Sequence, residues 1–343
     1  MMKALSIDRP GSVSFTERAA GLPGPGEAEV RIDFIGYCGS DLNSFRGKNP
    51  LVAYPRVPGH EISGTIASLG ASGTGALVPG QRVTVLPYFN CGHCRACRIG
   101  RPNACLNNQT LGVQREGALT ERICLPVGKV IPVDGMPARD VTLIEPLAVG
   151  FHAARRAEVT SEDTVVVLGC GVIGLGAALG VLDRGGTVIA VDLSAQKLAT
   201  AKRLGVQHVV DASQEDVADR IAALTNNEGA PVVIEAVGAE ETFRQAVDFA
   251  AQCGRVVYVG YAKNPVAYET RFFVMKEIDI RGSRGAELRD FHDVIAYLRA
   301  HPQIGDLIVT RVAPLAQAAQ AMIDWDADPG AYTKILIDVG DRS

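Results

Sequence analysis

Four cysteines fall within fifteen residues, Cys91, Cys94, Cys97 and Cys105 in the run CGHCRACRIGRPNAC, and any fold this chain adopts must gather their sulfurs. Disulfides between such close neighbours would close small, strained loops. Four thiolates at this spacing instead close a tetrahedron around one zinc ion. Sulfur in all four positions leaves no vacancy for water or substrate, so the expected site is structural and ties down a loop. His93 lies inside the run, but with four cysteines filling the site it reads as a surface residue. The chemistry must come from elsewhere in the chain.

At 343 residues the chain exceeds the usual size of one hydrophobic core, which favours two domains. Up to about Gly150 it reads as short β segments broken by glycine and proline, among them EAEVRIDFIGYCG, GHEISGTIASLG, GQRVTVLPYF and LTERICLPVGKVIPV. This pattern predicts a compact, partly barrel-like β domain with long functional loops. From Asp163 the pattern changes to strand, glycine turn, helix and strand, repeated through TVVVLG, TVIAVD, HVVDA, PVVIEAVG and RVVYVG. Continuous apolar strands alternating with helices predict a doubly wound parallel sheet. The expected class is therefore α/β, with residues 1–150 as the first domain, completed by 285–343, and residues 151–284 as the second.

Hydrophobic residues make up 47% and charged residues 21%, and the formal charge of -4 offers no basic surface suited to nucleic acid. No apolar stretch approaches the roughly 20 residues needed to cross a bilayer, and none follows Lys3 as a secretory leader would require. A cytoplasmic protein without nucleic-acid or membrane partners is expected. The scattered Cys38, Cys124, Cys170 and Cys253 ask for no disulfides.

Gly169, Gly171 and Gly174 form GCGVIG directly after a strand and at the start of a helix. The first glycine suits a tight turn, the second lets backbone approach a pyrophosphate, and the third lets helix and strand pack closely. The phosphates would rest on the helix N-terminus. Asp192 ends the next strand, where a carboxylate accepts both adenosine ribose hydroxyls and repels the extra phosphate of NADP. Leu193 and Ser194 follow it rather than an arginine, so NAD is the expected cofactor. Lys197 is read either as a ribose contact or as a solvated surface residue.

Cys38 in GYCGSDL, His60 and Glu61 in PGHEISG, and Glu145 in LIEPLAV are each bracketed by glycine or proline, as in loops that aim a side chain into a cleft. Together with the zinc loop and the glycine turn they carry a resemblance. The motifs CGSD, GHE, CGHCRACRIGRPNAC, EPLAV and GCGVIG, in that order, resemble the zinc-dependent medium-chain alcohol and polyol dehydrogenases over essentially the whole chain. The resemblance implies a GroES-like β-barrel catalytic domain beside a Rossmann NAD-binding domain. It implies two zinc ions, the second a catalytic ion held by Cys38 and His60 and completed by Glu61, by Glu145 directly or through water, and by a water or substrate oxygen. Asp41 would orient His60 by accepting its ring hydrogen. The implied reaction passes a hydride from an alcohol to the nicotinamide with zinc as Lewis acid, and Ser40 carries the alcohol proton outward. The cofactor set extends to Val172, Ile173, Val237, Val259 and Gly260.

A cysteine near Glu145 would mark the ethanol-type branch, so EPLAV argues against it. Threonine dehydrogenases continue the proton relay with a histidine where this chain has Asn43. Gln114, Arg115, Glu116 and Arg284 stand in segments that face substrate in relatives, which points to a polyol or a sugar acid with a secondary hydroxyl. The alternative for these arginines is surface or interdomain ion pairs. The resemblance further implies a homodimer or homotetramer, joined around Tyr261 to Phe273.

Overall fold

The computed structural model describes residues 1–19 and 21–340, and the chain divides into two compact units. One comprises Met1–Glu145 together with the stretch from Leu298 onwards, and the other is Pro146–Tyr297.

The first unit is built on a sheet whose strands lie in the order Arg311–Pro314, Ile335–Asp338, Glu27–Gly36, Glu61–Leu69, Arg82–Val85 and Val130–Pro132. Arg122–Pro126 also pairs with Glu27–Gly36, along its N-terminal half. Ile32, Ile35, Ile62, Ile66, Val83, Ile335 and Ile337 from these strands form one buried core. The antiparallel register sets Gly36 opposite Glu61. That pairing requires the glycine, because a Cβ at position 36 would lie 2.0 Å from Glu61 Oε2. A smaller ladder, Tyr88–Phe89 against Gln109–Thr110, closes the root of the loop that carries the four cysteines.

The second unit is the expected parallel sheet. Its six strands run in the order His208–Asp211, Thr187–Asp192, Thr164–Leu168, Ala230–Glu235, Ala250–Tyr258 and Asp279–Gly282. The chain winds outward to one side of Thr164–Leu168 and then returns to build the other side. Its crevice therefore opens at the C-terminal ends of the central strands. Val166, Leu168, Ile189, Val233 and Val256 are buried, as strands covered on both faces require. Two helices, Ile144–Arg156 and Val172–Asp183, approach at backbone distance: a Cβ on Gly150 would meet the Ala177 nitrogen at 2.2 Å.

The return to the first unit comes later than the sequence suggested. Residues 285–297 belong with the second unit because the helix Leu288–Ala300 is gripped there by buried charge. Asp290 and His152 have no solvent exposure. Asp290 accepts from His152 Nδ1 at 2.9 Å, from Arg155 Nε at 2.7 Å and from the Glu287 amide at 2.7 Å. Burial opposes the charge on Asp290, but His152, Arg155 and that amide outweigh it and hold its pKa down at about 2.

Asp290→Ala should therefore destabilise the second unit by about 3–5 kcal/mol, the usual cost of removing one partner from a buried ion pair, read as a lower urea midpoint. The depressed pKa makes this stabilisation fully present above the unfolded value of about 3.9. It fades as pH falls through about 2, so the acid limb of the stability curve should be shallower in the variant.

Candidate functional site

Cys38 leaves the strand Glu27–Gly36 two residues past its end and caps the helix Gly39–Phe45. His60 and Glu61 enter from the opposite strand, and Gly59 provides the turn, at φ +99, that aims them. Ligand atoms of Cys38, His60 and Glu61 all lie within 4.8 Å of one another. His60 is 5% exposed and Glu61 is not exposed at all.

The electrostatics of this group ask for a cation. Burial works against charge on His60, yet Cys38, Asp41 and Glu145 together hold its pKa well above the usual imidazole range. Burial pushes Glu61 up to about 7, with the Lys334 ammonium opposing the rise and Glu145 adding to it. Two buried side-chain atoms, His60 Nδ1 and Ser40 Oγ, have no hydrogen-bond partner. A thiol, an imidazole and a carboxylate around a buried point form a donor set that fits zinc.

Sequence reasoning missed Lys334. Its ammonium is buried and reaches both oxygens of Glu61, at 2.7 and 2.6 Å, and the Tyr37 carbonyl at 3.0 Å. The signal was a lysine leading straight into an apolar strand, but its partner is 273 residues away along the chain. Glu61 thus stands in the metal group with its charge already met from behind.

Glu145 opens the helix Ile144–Arg156 and is 4% exposed. Among the described residues it does not join the group of mutually close ligands. Its Oε1 instead accepts from Tyr88 Oη at 2.5 Å, a second partner the sequence did not reveal. Asp41 also departs from expectation. Its Oδ1 lies 3.9 Å from His60 Nδ1, too far for a hydrogen bond, because the carboxylate is spent on the Cys38 and Gly59 amides.

The four-cysteine cluster has the dimensions of a closed zinc site. Sulfur separations of 3.5, 3.9 and 3.5 Å separate Cys94 from Cys97, Cys94 from Cys105, and Cys105 from Cys91. A tetrahedron with Zn–S near 2.3 Å has edges of about 3.8 Å. Backbone amides of Cys97 and Leu106 favour the Cys94 thiolate and lower it to about 6. Burial, and then the hydrogen bonds with the Cys94 and Cys105 side chains, push Cys97 up to about 12, which a bound cation would relieve. His93 is exposed and turns its ring to the Cys91 carbonyl, away from ligand duty.

In the nucleotide unit the three glycines hold the expected stations. Gly169 has φ +95, Gly171 faces open space, and a Cβ on Gly174 would lie 1.8 Å from the Gly169 carbonyl oxygen. Gly171 caps the helix Val172–Asp183, whose first residues, Val172 and Ile173, are half-buried. Asp192 ties the turn to its own strand end, accepting from the Cys170 amide at 2.7 Å and the Ser194 amide at 2.9 Å. Lys197 is half-buried in the first turn of the helix that Ser194 caps. A cavity of about 520 Å³ opens beside Gly169, Asp192 and Val237. Glu235 is a further residue the sequence reading passed over. Fully buried, it accepts through Oε1 from the Val237 and Gly238 amides and from Thr242, and its other oxygen fills the space that a side chain at Gly260 would need. The Val259 and Gly260 amides both bond the Glu235 carbonyl.

The substrate candidates divide. Gln114 is half-buried and accepts from the Thr110 amide at 2.9 Å. Arg115 is exposed, and its guanidinium lies 4.2 Å over the Phe89 ring. Glu116 is occupied by Arg56 and Arg18. Arg284 is exposed and follows the last strand of the nucleotide sheet.

Residues 24–135 match the alcohol dehydrogenase GroES-like domain, and residues 172–300 match the zinc-binding dehydrogenase family. The L-galactonate-5-dehydrogenase of Escherichia coli K12 is 35% identical over 93% of this chain and 94% of that enzyme. The chain belongs to the zinc-dependent medium-chain alcohol and polyol dehydrogenases. An L-threonine 3-dehydrogenase of Mesorhizobium japonicum is 34% identical over 84% of this chain and 85% of its own. The crystal structure of an Escherichia coli CFT073 alcohol dehydrogenase complexed with NADH superposes with a TM-score of 0.90 at 28% identity, covering 98% of this chain and 99% of that one. Zinc and a nicotinamide dinucleotide are the cofactors of this dehydrogenase family, and the residues present fit both.

Metal analysis of the purified dehydrogenase should find two zinc ions per chain, and a count of one would remove one of the two sites. A chelator should withdraw first the ion held partly by oxygen and nitrogen, because four thiolates hold zinc more tightly. Activity should then vanish while one zinc remains.

Proposed function

We propose that the protein is an NAD-linked dehydrogenase that reversibly oxidises a secondary alcohol on a polyol or sugar acid to the ketone. The observation that carries this reading is the close group of Cys38, His60 and Glu61. When bound there, zinc would supply Lewis acidity at the alcohol oxygen and NAD the hydride acceptor. Cys38 and His60 would hold the ion. Glu61, backed by Lys334, and Glu145, held by Tyr88, are the two carboxylates able to complete its shell. The unpartnered Ser40 hydroxyl takes the alcohol proton while releasing its own to water.

The cavity beside Asp192 supports NAD over NADP. Asp192, Glu215, Asp216, Glu241 and Asp248 all line it, and no lysine or arginine does. A 2′-phosphate placed there would meet these carboxylates with no cationic side chain in the lining to offset them. For the substrate, the likeness to L-galactonate-5-dehydrogenase favours a sugar acid. Arg284 supplies the planar guanidinium that suits a carboxylate, and Gln114 supplies an amide for hydroxyls. Arg115 is a weaker candidate because its guanidinium is stacked on Phe89. The threonine dehydrogenase relative favours a second reading, oxidation of a β-hydroxy amino acid. Against it stands Asn43, whose amide cannot titrate near neutral pH.

The edge strand Asp279–Gly282 and its flank expose Tyr261, Val274, Met275 and Ile280, which suits pairing with a second copy. A dimer or tetramer is therefore the assembly expected by sedimentation.

A screen of NAD-dependent oxidation across aldonates, polyols, threonine and simple primary alcohols tests the substrate class. Activity should be highest on an aldonate or polyol with a secondary hydroxyl, and a preference for hydrophobic primary alcohols would overturn the reading. Asp192→Ala should raise KM for NAD about tenfold and narrow the preference over NADP, from the loss of roughly 1.4 kcal/mol of charged hydrogen bonding. Unchanged discrimination would remove Asp192 from the ribose site.

A further inference from the structure

The root of the four-cysteine loop touches more of the candidate active site than a remote support would. Tyr88 and Phe89 enter the loop, Gln109 and Thr110 leave it, and the two pairs form one antiparallel ladder. Tyr88 Oη donates to Glu145 Oε1 at 2.5 Å, with both side chains buried. The neighbouring Phe89 ring carries Arg115, and the Thr110 amide holds Gln114. Lys129 fixes the ladder from outside by bonding the Tyr88 carbonyl at 2.5 Å.

We infer that Tyr88 is a positioning residue for the catalytic metal, acting through Glu145, and that the structural zinc loop is what holds Tyr88 in place. This rests on the reading that Glu145 belongs to the catalytic zinc site. A free glutamate at the start of a helix samples several rotamers, and a buried carboxylate without a donor carries a desolvation cost. The Tyr88 hydroxyl removes both problems. It engages Oε1 and leaves Oε2 uncommitted by that bond, while the charge of Glu145 is felt by both His60 and Glu61. The phenol is the donor in this contact, since the carboxylate oxygen can only accept. The two metal sites of the chain are thereby connected through a single hydrogen bond.

The test uses zinc-loaded enzyme and three variants, Tyr88→Phe, Glu145→Gln and the double variant. Chelator-driven zinc release, NADH binding by fluorescence, and kcat are measured on each. Tyr88→Phe should lose the first zinc about tenfold faster, the usual scale for an outer partner of a metal ligand. Its second zinc and its NADH affinity should stay as in the parent, and kcat should fall without a rise in KM for NAD. In the Glu145→Gln background the same change should add nothing, because the route runs through the carboxylate. Should Tyr88→Phe fail to fold, the double variant no longer carries the unpaired charge, and its zinc release is compared with that of Glu145→Gln alone.

Parent-like zinc release and kcat in Tyr88→Phe, with Glu145→Gln impaired, would overturn the inference and leave the site reading standing. Additive losses in the double variant would also overturn it. A silent Glu145→Gln would instead remove Glu145 from the metal site, and the inference with it.

Discussion

The contact on which the first unit depends is the buried pair of Lys334 and Glu61. A carboxylate with no solvent exposure cannot stay ionised without a cation close by, and removing one partner of such a pair strands the other. Lys334 meets that demand with an ammonium whose three hydrogens are shared between Glu61 and the Tyr37 carbonyl. The negative character that remains, from Cys38, Asp41 and Glu145, is what a divalent ion would balance. Glu61 is therefore met by Lys334 on one side and belongs to the close group of Cys38 and His60 on the other.

That arrangement dictates details that look unrelated in the chain. Gly36 must lack a side chain because Glu61 occupies the space across the ladder. Asp41 is committed to the Cys38 and Gly59 amides, which fixes the two turns that deliver Cys38 and His60. The nucleotide unit follows the same economy of strand ends. Asp192 and Glu235 each close an apolar strand and bond the backbone of a crevice loop, so two carboxylates brace the walls of one groove.

Much of this was written locally and could be read locally. The cysteine run, the glycine turn and Asp192 are set by spacing of a few residues: the four sulfurs lie together, Gly169 takes a positive φ, and Asp192 ends its strand beside the turn. Strands such as Thr187–Asp192 and Glu61–Leu69 were visible because their apolar pattern is continuous or alternating. Lys334, Tyr88 and Glu235 escaped for a different reason. Their meaning lies in partners or loops brought together by tertiary packing, and as single residues they look like a surface lysine, a core aromatic and a strand-end acid. Asp41 misled in the opposite direction: its adjacency to Cys38 suggested service to His60, but local backbone amides claimed it. The boundary near residue 285 was misread because the grip of His152 and Arg155 on Asp290 spans 138 and 135 residues.

Lys334 also fixes an order of events during synthesis. Glu61 is made early, and its counter-charge leaves the ribosome only after all of Pro146–Tyr297 has been produced. Until then the half-built first sheet lacks the strand Ile335–Asp338 and would have to bury a bare carboxylate. The contiguous nucleotide unit has no such debt to later sequence and can consolidate first. The discontinuous unit, with its close group of Cys38, His60 and Glu61, is thus assembled only after the contiguous one has been made.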